Sequence, residues 1–245
     1  MDYYSQAFQI YNSQGIQRSV GYNLLARAEI LGRLGRFNEV QPLLDQAAAI
    51  ADKPGGELKR LSLEVKLVAA EIALSQERFP EARDKTEKLM ATAGEEFPEI
   101  SLNGRLVLGL AQAYSGAAAT GKTKCLEALN LARQLNDPWE VAKAQLALAE
   151  TMLLSGDSQG AVSNAVQARD VFTRLGQQAS EWRALAVAAL ASARLGDKNK
   201  AQEYASRAKE SGAALEQRWN KDNWNTFLAR PDVQRLRKQL DRAMS

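Results

Sequence analysis

Residues 145–169, QLALAETMLLSGDSQGAVSNAVQAR, restrict the fold more than any other stretch. They read as two helices joined at Gly156, with alanines where the helices would touch. The pattern recurs along the chain. LGRFNEVQPLLDQA surrounds Gly35, LGDKNKAQEYASRA surrounds Gly196, and SQERFPEARDKTEKL keeps the frame with Glu77 in the turn. Five positions after each turn stand Val40, Ala82, Ala161 and Ala201. Seven positions further on stand Ala47, Leu89, Ala168 and Ala208. Seven before the turn stand Ala28, Ala70, Ala149 and Ala189. Antiparallel helices approach to about 8–10 Å only across small side chains. One such pair cannot bury its own apolar face, so pairs must stack.

Five units fit if the middle one, LGLAQAYSG…CLEALNLA, takes two extra residues in its turn, with Cys125 at the small position. The steps between Val40, Ala82, Cys125, Ala161 and Ala201 are then 42, 43, 36 and 40. This set of positions resembles the tetratricopeptide repeat (TPR) family, which keeps small residues at the eighth, twentieth and twenty-seventh positions and a glycine in the turn. The long units look like those of multidomain bacterial regulators and kinesin light chains. The resemblance implies an all-α fold, a right-handed superhelical solenoid of antiparallel helix pairs with a C-terminal capping helix. Repeats are expected at 16–53, 56–94, 97–136, 137–176 and 177–216, after a half-unit at 1–15 and before a cap at 217–245. The half-unit, YYSQAFQIYNS, lacks its first helix. It leads us to expect a piece of a larger bacterial signalling or regulatory protein, or pairing of two copies through this face.

Composition agrees. Apolar residues are 45% of the 245, aromatics 7% and charged residues 25%, with alanine and leucine favouring helix over strand. From Arg194 onward the balance is +5, against −2 for the rest, so the cap is basic. A net charge of +3 is too small to indicate nucleic acid as a partner. With one cysteine and no histidine, no zinc site is expected, the commonest general base is missing, and a cytoplasmic protein fits. No apolar run is long enough for a membrane span. Asp137-Pro138-Trp139-Glu140 is a helix start, as are Phe97-Pro98-Glu99 and Arg230-Pro231-Asp232. Lys53-Pro54-Gly55-Gly56 ends a helix, and Pro42 should delay the start of another. Glu95, Glu96 and Glu99 read as exposed capping charges. Trp219 and Trp224 should cover the last core layer.

Residues 116–123, GAAATGKT, match the phosphate-binding pattern G-x-x-x-x-G-K-[ST]. That chemistry needs a loop between a strand and a helix, whereas the preceding ISLNGRLVLGLAQAYS is helical in pattern. We read the match as the turn of the third unit and expect no enzyme, cofactor or metal. Cys125 reads as a buried small residue.

The family's concave face is formed by positions 2, 5, 9 and 12 of each first helix, which share one side. Carried over, position 2 is Tyr22, Glu64, Arg105, Lys143 and Arg183. Position 5 is Leu25, Leu67, Leu108, Leu146 and Ala186, and position 9 is Glu29, Glu71, Gln112, Glu150 and Leu190. The picture is an apolar floor between an acidic row and a basic row, which can pair only between neighbouring helices. It implies a non-catalytic scaffold that binds a protein or peptide in its groove. The family members that clamp a C-terminal carboxylate use lysine and asparagine where this chain has leucine and glutamate, so that ligand is not expected. The alternatives are a small-ligand sensor and, with less support, a helical-repeat RNA binder.

Overall fold

The computed structural model describes residues 2–53, 58–94 and 96–244. Among them are α-helices and no strand. After α1 (Asp2–Ser13), the chain runs as five helix pairs. They are α2 (Gln17–Arg33) with α3 (Val40–Ala51), α4 (Lys59–Ser75) with α5 (Phe79–Ala93), and α6 (Pro98–Tyr114) with α7 (Ala118–Leu135). Next come α8 (Pro138–Leu154) with α9 (Ser158–Arg174), and α10 (Gln178–Arg194) with α11 (Lys198–Arg218). Two short helices follow, α12 (Lys221–Leu228) and α13 (Pro231–Met244). Each helix packs on its partner and on the next pair, giving an all-helical solenoid.

Each of the five first helices is 17 residues long and ends in the same way. A residue in the left-handed region follows at Gly35, Glu77, Gly116, Gly156 and Gly196, with φ from 59° to 95°. The next amide donates back five residues, as in Arg36 N to Leu31 O at 2.9 Å and Ala117 N to Gln112 O at 2.9 Å. This double closure satisfies the last helical carbonyls and stops the helix.

The five turns are spaced by 42, 39, 40 and 40 residues, so the middle unit has no inserted residues. That corrects the expected frame. The small position of the third unit is Gly121, not Cys125, and it faces Gly109. A Cβ on Gly121 would lie 2.3 Å from the Gly109 carbonyl oxygen. A glycine pair here stands where the other units carry alanine or, at Val40, valine, and Cys125 fills the next turn of α7, fully buried.

Side-chain caps start α8, α9 and α11. Asp137 accepts from Trp139 N at 2.8 Å, Asp157 from Gly160 N at 3.0 Å, and Asp197 from Lys200 N at 3.1 Å. In the first unit a short 3-10 turn, Phe37–Glu39, precedes α3, so the helix begins late and Pro42 lies in its first turn. Residues 54–57 and Glu95, part of two expected loop signals, lie outside the described residues. Glu96 is exposed and pairs with Lys59, and Glu99 lies in the first turn of α6.

At the C-terminus, Trp219 and Trp224 do pack on the last core cluster, with ring centroids 5.2 and 5.8 Å from Phe227. However, α12 and α13 also fold back across the concave side. Arg230 Nη1 donates to the carbonyl of Arg33, 197 residues earlier, at 2.8 Å. A Cβ on Gly35 would lie 2.3 Å from the Thr226 oxygen. The C-terminal helices thus join the last repeat to the first.

Candidate binding channel

The first helices line a concave channel, and α12–α13 close one side of it. The space within this open-sided channel is about 620 Å³. Its floor is apolar, built from Ile30, Val68, Ile72, Leu106 and Leu110 among others.

Of the residues expected on the groove, Glu29, Glu71, Lys143, Leu146, Glu150 and Arg183 line this space. Tyr22 instead lies in the crevice between α1 and α2, beneath Arg18. Leu25 and Leu67 are buried in the core, as is Leu108. Glu64 pairs with Arg60 on the surface of α4 at 2.8 Å. Arg105 reaches Glu127 of α7 at 3.6 Å, and Gln112 is partly buried outside the channel. The third-unit residues miss because the corrected frame moves each position by two. Asn103, Leu106 and Leu110 stand there instead, and all three face the channel.

Two charge groups occupy the walls. In the first, Tyr114 Oη donates to Glu150 at 2.6 Å, and Arg183 donates to the same carboxylate through Nε and, at 2.9 Å, Nη2. Arg183 Nη1 continues to Asp232 at 2.7 Å, which also accepts from Arg230 Nε at 3.0 Å. Burial alone would raise the Glu150 carboxyl, but the Arg183 charge and these hydrogen bonds hold it below its ordinary value. Asp232 behaves alike: burial is outweighed by Arg230 and Arg183. The Tyr114 hydroxyl is pushed up by burial and by Glu150.

The second group is Glu29, Glu71 and Lys143. Glu29 is raised above its ordinary value by burial and then by Glu71, and Glu71 is raised by burial. Neither carboxylate has a hydrogen bond or an ion pair within 4 Å among the described residues. Lys143 is turned toward Asn103 and, at 3.3 Å, Glu140, with its ammonium 6.0 Å from the Trp139 ring centre.

Residues absent from the expected set complete the wall beside α13. Arg235 lies 3.7 Å over the Tyr114 ring, which stacks on Phe79 with centroids 5.4 Å apart, and it pairs with Glu77 at 2.6 Å. One sequence signal pointed there: Glu77 stands where the other turns carry glycine.

The GAAATGKT stretch forms no phosphate cradle. Gly116 is the left-handed turn, α7 begins at Ala118, and Gly121 is a helix contact. Lys122 pairs with the capping Asp157 at 3.2 Å, and Thr123 donates to the Ala119 carbonyl at 3.2 Å. Burial pushes the Cys125 thiol up to about 12. Among the described residues, no helix is long and apolar enough to cross a membrane.

No family profile and no curated protein matches this sequence. Solved structures do. The chain is similar to BtubC (BKLC) from P. vanneervenii, at 18% identity and a TM-score of 0.63, covering 86% of this chain and 87% of that one. It is also similar to a Rap protein complexed with Competence and Sporulation Factor, at 15% identity and a TM-score of 0.70. That match covers 93% of this chain and 66% of the Rap chain, just under two thirds of its length. The likeness is one of fold: the chain is a TPR-like helical repeat.

Proposed function

We propose that this chain is a non-catalytic binding module that holds a peptide or protein segment in its concave channel, as part of a larger bacterial regulatory protein. The observation that carries this reading is the pair Glu29 and Glu71. They are two partly buried carboxylates on adjacent repeats, without ion-pair partners, above an apolar floor in a space of about 620 Å³. Burying such groups unpaired is unfavourable, and a ligand carrying a cationic group would relieve it. The likeness to a Rap protein captured with Competence and Sporulation Factor supports a bound partner. A peptide library displayed on phage and panned on the purified chain tests this. Selected peptides should bind the wild type and lose at least tenfold in affinity to a Glu29→Lys/Glu71→Lys variant with unchanged far-ultraviolet circular dichroism. Peptides that bind both equally, or no enrichment at all, would overturn it.

A second reading, a small-ligand sensor, is favoured by the closure of the channel by α12–α13. The channel's volume of about 620 Å³ lies within the roughly 300–1,000 Å³ of small-molecule pockets. Melting shifts in a metabolite panel that vanish in the same double variant would select it.

A further inference from the structure

The channel already holds part of its own chain. α13 opens with Arg230-Pro231-Asp232-Val233-Gln234-Arg235-Leu236, and the inward side chains of this run meet matched partners. Val233 and Leu236 are three apart, so they share a helix face, and they join the core cluster around Trp182 and Phe227. Asp232 is 4% exposed and is met by Arg183. Arg235 is met by a carboxylate, Glu77, and by the face of Tyr114. Asp232 is thus held by a charge-assisted hydrogen bond from Arg183, and Arg235 lies between a carboxylate and a ring face.

Two backbone features show that the wall is shaped for this occupant. Glu77 sits at φ 59°, a conformation that its four counterparts meet with glycine. A side chain stands there against backbone preference, and it pairs with Arg235. At the other end, the Gly35 turn leaves no room for a Cβ against Thr226.

We infer that α12–α13 is a resident pseudo-ligand, and that the channel's partner is an amphipathic helix of the same chemistry which displaces it. That helix would carry an acid, an apolar residue, an arginine and a second apolar residue across one and a half turns. This rests on the channel being the binding site. α13 already occupies Arg183 through Asp232, and Glu77 and the Tyr114 ring through Arg235, so a helix that uses the same contacts must replace it. The chain is extended at Trp219 and Asn220, with ψ of 151° and 158°, which provides a pivot between α11 and α12. The vacated wall keeps Glu29, Glu71 and Glu77, an acidic surface matched to an arginine-bearing helix.

The probe is a fluorescein-labelled peptide of residues 219–244 added to the full chain and followed by anisotropy. Arg235→Ala in the chain should loosen the resident helix and raise affinity for the wild-type peptide at least tenfold. Adding Tyr114→Ala should remove that gain, and a peptide carrying Arg235→Ala should not bind. Hydrogen exchange over 221–244 reports independently whether α13 is released. The inference is overturned if α13 is released and the peptide binds no better, if α13 stays docked without Arg235, or if Tyr114→Ala has no effect. Should Arg235→Ala misfold, Arg235→Lys, which keeps the charge and loses the planar stack, takes its place with the same outcomes required. Library peptides that need Glu29 and Glu71 but are not displaced by the 219–244 peptide would leave the channel reading intact and overturn this one.

Discussion

At the scale of single residues, the glycines of the third unit illustrate two different demands on the backbone. Gly121 needs the absence of a Cβ because the Gly109 carbonyl would meet it at 2.3 Å. Gly116 needs a positive φ of 95°, with open space around it. Gly121→Ala should therefore cost about 1–3 kcal/mol through overpacking, and Gly116→Ala about 1–2 kcal/mol through strain alone; urea midpoints measure both. The channel carboxylates divide by sign. Glu29 and Glu71 are raised, so their ionisation opposes folding as pH climbs from the ordinary 4.5 through the raised value. Glu29→Gln/Glu71→Gln should raise the melting temperature at pH 7, with the gain vanishing near pH 4. Glu150 is lowered, so its contribution is present above 4.5 and is lost as pH falls through the folded value. Glu150→Gln should cost about 1–3 kcal/mol at pH 7, because Arg183 would lose its bidentate partner and keep only Asp232 as counter-charge.

At the scale of elements, capping and ion pairing can be separated within one contact. Asp157 caps α9 through Gly160 N and also meets Lys122, whose side chain is 38% exposed. Asp157→Ala should cost about 1 kcal/mol, whereas Lys122→Ala should change stability by less than about 1 kcal/mol. A cost for Lys122→Ala as large as that for Asp157→Ala would contradict this division. The helix pairs were legible because their signals are local: apolar spacing, small contact residues and a turn glycine lie within thirty residues of one another. The register of α6 was not. Gly109 and Gly121 break the alanine pattern, so alignment moved to Cys125 and displaced the expected Arg105, Leu108 and Gln112 by two positions. Arg230-Pro231-Asp232 was legible as a helix start, and α13 begins there. Its neighbours were not, since Arg33, Ser75 and Arg183 lie 197, 155 and 49 residues from their C-terminal partners.

At the scale of the molecule, closure changes how the array should unfold. An open solenoid is coupled only between nearest neighbours and can lose repeats from either end. Here Arg230 bonds to the end of α2 and to Ser75 of α4, tying the first repeats to the last. The four tryptophans, at 139, 182, 219 and 224, all report on the C-terminal half, while circular dichroism averages over every helix. The wild type should show coincident urea transitions by the two probes. Arg230→Ala should separate them, with helicity lost first from the N-terminal repeats; coincident transitions in the variant would mean that closure does not couple the ends.

The helical repeat, the turns and most of the small residues at helix contacts follow from local sequence, because backbone preference and nearest-neighbour packing act over a few residues. Of the expected acidic and basic rows, Glu29, Glu71, Glu150, Lys143 and Arg183 line the channel, whereas Glu64 and Arg105 pair outside it. Only the tertiary structure decided that Glu150 pairs with Arg183 while Glu29 and Glu71 stay unpaired, and that the C-terminal helices enter the channel. Those outcomes depend on how the four junctions between the five repeats add up, and so on which distant side chains come within reach. No local pattern encodes that sum.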